Sequence, residues 1–181
     1  DFQGDAYING TSFNIWFASI LIGRSLVGIQ AGDVLRLARQ LEQHASCHGV
    51  FGLAIRQMSP VLLHAAAFDP VITGVALIEP YLTYSSLVMN RFYNTDFIHS
   101  TVPGALKAYD LPELIASLAP RKLMIAGITD CLGNIISSDS VKGDIDKIRA
   151  SYQHHHATDQ LSILPGKSDG KSDYPVVDWM K

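Results

Sequence analysis

The sequence predicts an α/β fold, a three-layer αβα arrangement in which helices cover both faces of a mostly parallel sheet. Several short runs are apolar throughout, which is typical of strands buried on both faces. Segments with helical spacing separate these runs, and that alternation favours a parallel sheet. The 181 residues are 48% hydrophobic and 17% charged, a composition typical of a globular protein. Because no repeat or linker divides the chain, we expect residues 1–181 to form a single domain.

The first predicted elements are two helices on either side of a strand. Residues 26–44 predict a helix because their apolar side chains recur at helical spacing, at Ile29, Val34, Leu35, Leu37, Ala38 and Leu41. Residues 49–55 (GVFGLAI) predict a short buried strand. Residues 60–68 (PVLLHAAAF) predict a second helix, with Pro60 in the first turn, where the missing N–H leaves no hydrogen bond unmade.

The remaining chain continues this alternation. Buried strands are predicted at 72–80, 121–130 and 159–166, and helices at 111–119, 140–153 and 175–181. The helix over 140–153 has an apolar stripe formed by Val141, Ile145 and Ile148. Ligands of open parallel sheets bind beyond the carboxyl ends of the strands. The loops at 55–60, 79–84, 129–136 and 165–173 are therefore the places where we expect a functional site.

Charge and composition argue against several classes of partner. The net charge is −3, the sequence pI is near 6.1 and no basic stripe is present, so we expect no nucleic-acid partner. The most apolar segment, Ser12–Gly23, is too short to span a membrane and contains Asn14, so we expect no membrane partner. Cys47 and Cys131 are too few for a metal cluster, and we expect neither metal nor cofactor.

Three longer segments carry a resemblance to a known family. They are LIGRSLVGIQAGDVLRLARQL (21–41), HAAAFDPVITGVALIEPYLTYSSLV (64–88) and LKAYDLPELIASLAPRKLMIAGITDCLGN (106–134). Together they resemble α/β-hydrolases of the bacterial acetyl xylan esterase type. The resemblance implies that this chain carries strands five to eight of that fold with their helices, and that it is incomplete at its N-terminus. It also implies a secreted or periplasmic protein.

The resemblance places a changed residue at each of two catalytic positions. The family's nucleophile lies in a Gly-x-Ser-x-Gly-Gly turn, which corresponds here to residues 54–59 (AIRQMS), so that Arg56 occupies the serine position. Arg56 cannot attack a carbonyl, because its guanidinium stays protonated and has no lone pair to offer. Asp130 matches the acid position after the seventh strand, and Lys167 stands where the histidine follows Gly166 in the family pattern. A lone carboxylate cannot run the relay, because its partner imidazole is missing.

Other chemically capable residues have plainer interpretations that we favour. Ser25 in GRSLVG is interpreted as a helix N-cap instead of a nucleophile. The histidines at 154–156 are favoured by a helix C-terminus, and three consecutive side chains cannot all face one metal ion. Cys131 is interpreted as a packed thiol and His64 as a core histidine. Glu79 either faces the pocket or pairs with a neighbour.

Two further features have alternatives that the sequence leaves open. The aromatic residues after the second strand could form a lid or substrate wall, or pack over the sheet; they are Tyr81, Tyr84, Phe92, Tyr93 and Phe97. Arg56 could bind a ligand carboxylate or form an internal ion pair with Asp130, and we favour the ion pair.

These observations give three functional hypotheses. The first is a catalytically degenerate hydrolase-fold domain, related to carbohydrate esterases, that acts as a structural module or binds a small molecule or carbohydrate. The alternative is an active carboxylic-ester hydrolase with a displaced nucleophile, or one completed by residues outside this chain. The third is an interaction subunit that forms a homodimer through an exposed sheet edge.

Overall fold

The computed structural model describes residues 7–8, 11–44, 49–166 and 174–180. Its centre is a parallel sheet of four strands that lie side by side in chain order, and helices pack on it to give the predicted three-layer α/β class. The strands are β1 (Tyr7–Ile8), β2 (Thr11–Ser12), β3 (Val50–Ile55), β4 (Ile72–Ile78), β5 (Lys122–Ala126) and β6 (Leu161–Leu164). The helices are α1 (Asn14–Leu21), α2 (Leu26–Glu42), α3 (Ser59–Phe68), α4 (Tyr84–Val88), α5 (Leu111–Ala116), α6 (Lys142–His154) and α7 (Val176–Met180).

The sheet register aligns the strand ends at one edge. Ile55 lies opposite Ile78, which in turn lies opposite Ala126, so the loops after β3, β4 and β5 begin side by side. β4 and β5 are almost entirely buried, as expected for central strands that are apolar throughout. β3 is an edge strand within the described sheet, and its Leu53 and Ile55 side chains are about half exposed, at 47% and 48%.

The main core lies between the sheet and the helices α2, α3, α5 and α6. Helix α3 is buried along almost its whole length because it packs against the sheet and against both α2 and α5. In α6, Ile145, Ile148 and Tyr152 are buried, and the Tyr152 hydroxyl donates to the Arg121 carbonyl at 2.8 Å. The predicted apolar stripe is thus confirmed for Ile145 and Ile148, whereas Val141 precedes the helix and is partly buried against the core. A smaller cluster, which includes Tyr174, covers the opposite face of the sheet.

Local signals that predicted helix starts are confirmed. The Ser25 hydroxyl accepts from the Gly28 N–H at 2.9 Å, so this serine caps α2 as the plainer interpretation held. A further cap, which was not predicted from the sequence, is the reciprocal capping box that Asp110 and Glu113 form at the start of α5. Pro60 lies in the first turn of α3.

The predicted strands are longer than those observed. The run expected to continue to residue 80 ends at Ile78, because Glu79 adopts a positive φ of 52°. The run expected to continue to residue 130 ends at Ala126, because Gly127 adopts a φ of 68°. Both turns redirect the chain beyond the sheet, which is where the candidate site lies.

Some of the aromatic residues after β4 pack in the core, and others are exposed as a lid or substrate wall would require. Tyr81, Tyr84 and Phe97 are buried, and the rings of Tyr81 and Phe97 lie 4.8 Å apart. Phe92 is 74% exposed, whereas Tyr93 is partly buried against the core. Most of this segment is therefore packed structure, and its apolar exposure is concentrated near Phe92.

Two residues with sequence-based expectations, Cys47 and Lys167, lie outside the described part of the chain, so those expectations stay predictions.

Within the described part of the chain, no helix is by itself long and apolar enough to cross a membrane. Helices α1 and α2 satisfy the length and hydropathy requirement together, but they are bent by 86°.

Candidate functional site

The corner between β3 and α3 has the strand–turn–helix geometry expected of a nucleophile-bearing turn. β3 ends at Ile55, a single 3₁₀ turn covers Arg56–Met58, and α3 begins at Ser59. Arg56 has a φ of 51°, a backbone conformation that costs energy for a residue with a Cβ and is often found at functional sites. The side chain at the tip of this corner is therefore that of Arg56.

Arg56 forms an ion pair with Glu79. Its Nε donates to Glu79 Oε2 at 2.8 Å, and its Nη2 lies 2.7 Å from the same oxygen. The Arg56 side chain is 54% exposed, whereas that of Glu79 is only 7% exposed. A buried carboxylate is costly unless a charged partner and hydrogen bonds stabilise it, and the guanidinium supplies both.

The expected pairing of Arg56 with Asp130 is wrong, and the sheet register explains why. β3 lies next to β4, with Ile55 opposite Ile78, so the residues that follow these two strands are direct neighbours. Asp130 follows β5, which is one strand further away. Sequence reasoning therefore found the ion pair but assigned it to the wrong carboxylate.

Glu79 is held in place by its backbone as well as by Arg56. Its N–H donates to the Ala126 carbonyl at 2.7 Å, and its own carbonyl accepts from the Thr129 hydroxyl at 3.4 Å. These contacts tie the end of β4 to β5 and to the loop beyond it. The carboxylate is thus fixed at the carboxyl edge of the sheet, where ligands of this architecture bind.

The Asp130 carboxylate accepts hydrogen bonds from residues of its own loop. One carboxylate oxygen accepts from the backbone N–H groups of Leu132 and Asn134, each at 2.9 Å. The other accepts from the Asn134 side-chain amide at 3.3 Å. No imidazole is among these hydrogen-bond partners in the described structure, and the carboxylate is occupied in a way that needs none. Its role as a vestigial catalytic acid stays a prediction.

His64 is a core histidine, as the plainer interpretation held. Its Nδ1 lies 2.6 Å from the Pro60 carbonyl and its Nε2 lies 2.7 Å from the Tyr109 hydroxyl. A carbonyl can only accept, so Nδ1 carries the proton and the tyrosine donates to Nε2 of the neutral ring. Burial lowers the pKa of His64, although the hydrogen bond to Pro60 opposes this shift. Both ring nitrogens are therefore committed to structural hydrogen bonds.

Cys131 and the histidines at 154–156 show no sign of catalytic activation. Cys131 is buried, its thiol lies 3.7 Å from the Phe92 carbonyl, and burial raises its pKa, with the nearby Asp130 charge adding to the shift. The histidines are exposed at the C-terminal end of α6. Among the residues that the structure describes, no group of three or more His, Cys, Asp or Glu could hold a metal ion.

Ser59 is the last residue of the 54–59 turn and the first residue of α3. It is fully buried at the start of α3, and its hydroxyl has no hydrogen-bond partner within the described structure. Buried hydroxyls usually have a partner, because an unmade hydrogen bond costs about 1–3 kcal/mol. A serine beside Pro60 in an otherwise apolar helix was the only sequence signal that could have drawn attention to it.

Solved structures with a similar fold are carbohydrate esterases by their descriptions. A protein from Bacteroides fragilis NCTC 9343, assigned as an acetyl xylan esterase, matches with a TM-score of 0.62 and 15% sequence identity over 88% of this chain. A family 15 carbohydrate esterase, a glucuronoyl esterase from Caldicellulosiruptor kristjansonii, matches at a TM-score of 0.48 and 15% identity over 71% of this chain. The second likeness is too low to support any argument about this chain.

The likeness to the Bacteroides fragilis protein shows the fold alone, because 15% sequence identity is too low to transfer an activity. This chain spans 40% of the length of each of these two proteins. No protein-family model matches the sequence, and no curated protein matches it either.

Proposed function

We propose that this chain is a catalytically degenerate α/β-hydrolase-fold domain, related to carbohydrate esterases, that acts as a structural or ligand-binding module. The observation that carries the proposal is the Arg56–Glu79 ion pair at the tip of the strand–turn–helix corner. Where a hydrolase of this fold needs an attacking hydroxyl, this corner carries a permanently protonated group.

The surrounding groups support a loss of hydrolysis. Acyl transfer by a serine needs a nucleophile in contact with a base, and the base oriented by a third group. His64 has both ring nitrogens engaged elsewhere, and Asp130 has both oxygens engaged within its loop. The ion pair stabilises the buried Glu79 carboxylate without any substrate. This fits a site that has retained the strand–turn–helix geometry but lost the groups needed for hydrolysis.

Ligand binding remains compatible with this corner. The Arg56 side chain is half exposed, and its Nε and Nη2 face Glu79, while Nη1 has no hydrogen bond to any residue that the structure describes. A small molecule or carbohydrate at the carboxyl edge of the sheet could therefore contact the guanidinium without breaking the ion pair. Such a ligand would be held and not cleaved.

A hydrolysis assay on the whole chain tests the proposal. We expect no turnover of p-nitrophenyl acetate or acetylated xylan above the rate of a heat-denatured control. We also expect Arg56→Ser to remain inactive, because it supplies a hydroxyl without a base. Turnover by the unmodified chain that a serine-directed phosphonate blocks would contradict the proposal.

The alternative, an active carboxylic-ester hydrolase, is favoured by one observation. The Ser59 hydroxyl lies three residues beyond Arg56 and has no hydrogen-bond partner in the described structure. If Ser59 were a displaced nucleophile, Ser59→Ala would abolish turnover, while Ser25→Ala, which alters a serine that caps α2, would not. If the domain is catalytically degenerate, we expect no turnover by the unmodified chain or by either variant.

We also propose that the edge of β3 pairs with a second copy of the chain. An unpaired parallel edge with exposed apolar side chains favours association, and two identical edges related by a two-fold axis pair antiparallel. Beside Leu53 and Ile55, the α2 residues Leu37 and Leu41 are 58% and 46% exposed, so the edge is flanked by an apolar helix face. Light scattering should give twice the monomer mass of 19.8 kDa, and Leu53→Lys should reduce it to the monomer value. A monomer in both cases would contradict this pairing.

A further inference from the structure

A second pocket lies away from the Arg56 corner, between α1 and the segment 84–107. Its volume is about 480 Å³, within the range of about 300–1,000 Å³ that is typical of small-molecule sites. Trp16 of α1 forms one wall, and Tyr84, Val88, Tyr93 and Leu106 form others. All of its lining residues belong to the described part of the chain, and none belongs to the strand–turn–helix corner.

Tyr84, one of the aromatic residues that line this pocket, is held in place by hydrogen bonds. The Tyr84 hydroxyl donates to the Ser100 carbonyl at 3.1 Å, and its backbone N–H donates to Asp110 at 2.6 Å. Thr83 caps the short helix α4 by accepting from the Ser86 N–H at 2.9 Å. A site whose walls are already held loses little conformational entropy on binding, which favours affinity.

The opposite part of the pocket is apolar and open to water. The Val88 side chain is 70% exposed and that of Leu106 is 43% exposed, although both line a concave surface. When a ligand covers apolar side chains that are exposed in a pocket, the free energy of the system falls, which favours binding. The chemistry of these walls therefore fits a ligand with an apolar body, and two tyrosine rings beside an indole fit an aromatic one.

Lys107 supplies the charge at this pocket. Its ammonium forms no ion pair with any residue that the structure describes, although Lys107 also lines a neighbouring pocket that contains Asp110, Glu113 and Asp144. The Trp16 indole N–H is also buried without an acceptor in the described structure. The Lys107 ammonium is a donor and carries a positive charge, so a ligand with an anionic acceptor at one end complements it.

We propose that this pocket binds an aromatic carboxylic acid. The ring lies against Tyr84, Tyr93 and the aliphatic side chains, and the carboxylate lies at Lys107. Asn90, Thr101 and Tyr84 also line the pocket, but each already donates a hydrogen bond to a backbone carbonyl, so an uncharged oligosaccharide fits it less well. The inference does not rest on the proposed function, because neither Arg56 nor Glu79 takes part.

Binding of 2-naphthoate to the full chain tests the proposal. Calorimetry measures the affinity, and the fluorescence of Trp16, one of two tryptophans in the chain, reports occupancy of the pocket, with Trp16→Phe removing that signal. Naphthalen-2-ylmethanol has the same ring without the charge and should bind more weakly. Lys107→Gln should weaken naphthoate by about fivefold and leave the alcohol unchanged. Lys142→Gln, at an exposed lysine outside the pocket, is the matched control and should change neither.

Val88→Trp provides a steric test that keeps the fold, because this side chain is mostly exposed. The added indole should occupy the pocket and abolish binding, while circular dichroism stays unchanged. Equal affinity for naphthoate in Lys107→Gln and in the unmodified chain would overturn the proposal. So would unchanged binding in Val88→Trp, tighter binding of the alcohol or of xylobiose than of naphthoate, or no binding of naphthoate at all. None of these results bears on hydrolysis at Arg56, so the two proposals fail separately.

Discussion

Removal of the Arg56 guanidinium should destabilise the fold by an amount set by the burial of Glu79. Breaking a fully buried ion pair costs about 3–5 kcal/mol, whereas an exposed pair contributes about 0.2–1 kcal/mol. The Glu79 side chain is 7% exposed but that of Arg56 is 54% exposed, so solvent screens the pair from one side. We therefore expect Arg56→Met to lower the free energy of unfolding by about 1–3 kcal/mol, between these limits.

A double-mutant cycle with Arg56→Met and Glu79→Gln isolates the interaction. Arg56→Met should be more harmful than Glu79→Gln, because only the first leaves a buried carboxylate without its guanidinium. Urea unfolding of the four proteins gives the coupling energy, which should exceed that of the exposed Arg36–Asp33 pair measured in the same way. A coupling no larger than that of this surface pair would refute the reasoning, because burial of Glu79 would then have no energetic consequence.

Three further predictions concern other parts of the structure. Because burial lowers the pKa of His64, the folded state favours the neutral ring, and the free energy of unfolding should fall as the pH drops below about 6.5; His64→Gln should lessen this dependence in urea unfolding. Ser59→Ala should be neutral or stabilising by up to about 1 kcal/mol, because it removes a buried hydroxyl without a partner in the described structure; a loss of more than that would indicate a hidden partner. Cys131 should react slowly with iodoacetamide in the native state and rapidly in urea, because burial raises its pKa.

The fold could be predicted from the sequence because each signal for a strand or a helix was local. Apolar runs identified the four strands of the sheet, and Pro60 and Ser25 identified helix starts, since each depends on residues within a few positions. Local signals also predicted the loop at 55–60, whereas Arg56 was placed at its tip by the resemblance to the hydrolase family. Where the strands end was less predictable, because Glu79 takes a left-handed backbone conformation that an Ile-Glu-Pro sequence does not announce.

The partner of Arg56 could not be read from the sequence with the same certainty. Pairing across a sheet depends on which strands are neighbours and on their register, and both are properties of the whole sheet. A carboxylate immediately after β4, at Glu79, was available as a signal, but the family pattern drew attention to Asp130. The buried Ser59 and the pocket beside Trp16 depend on packing between segments distant in sequence, so the sequence predicted neither.

The most direct test of the central claim is covalent labelling followed by intact-protein mass spectrometry. A fluorophosphonate reacts with an activated serine, and the claim is that the Arg56 corner presents none. We expect the mass of the full chain to be unchanged after incubation, while a serine esterase in the same tube is labelled completely. A stoichiometric adduct, mapped by peptide fragmentation to Ser59 or any other serine, would contradict it.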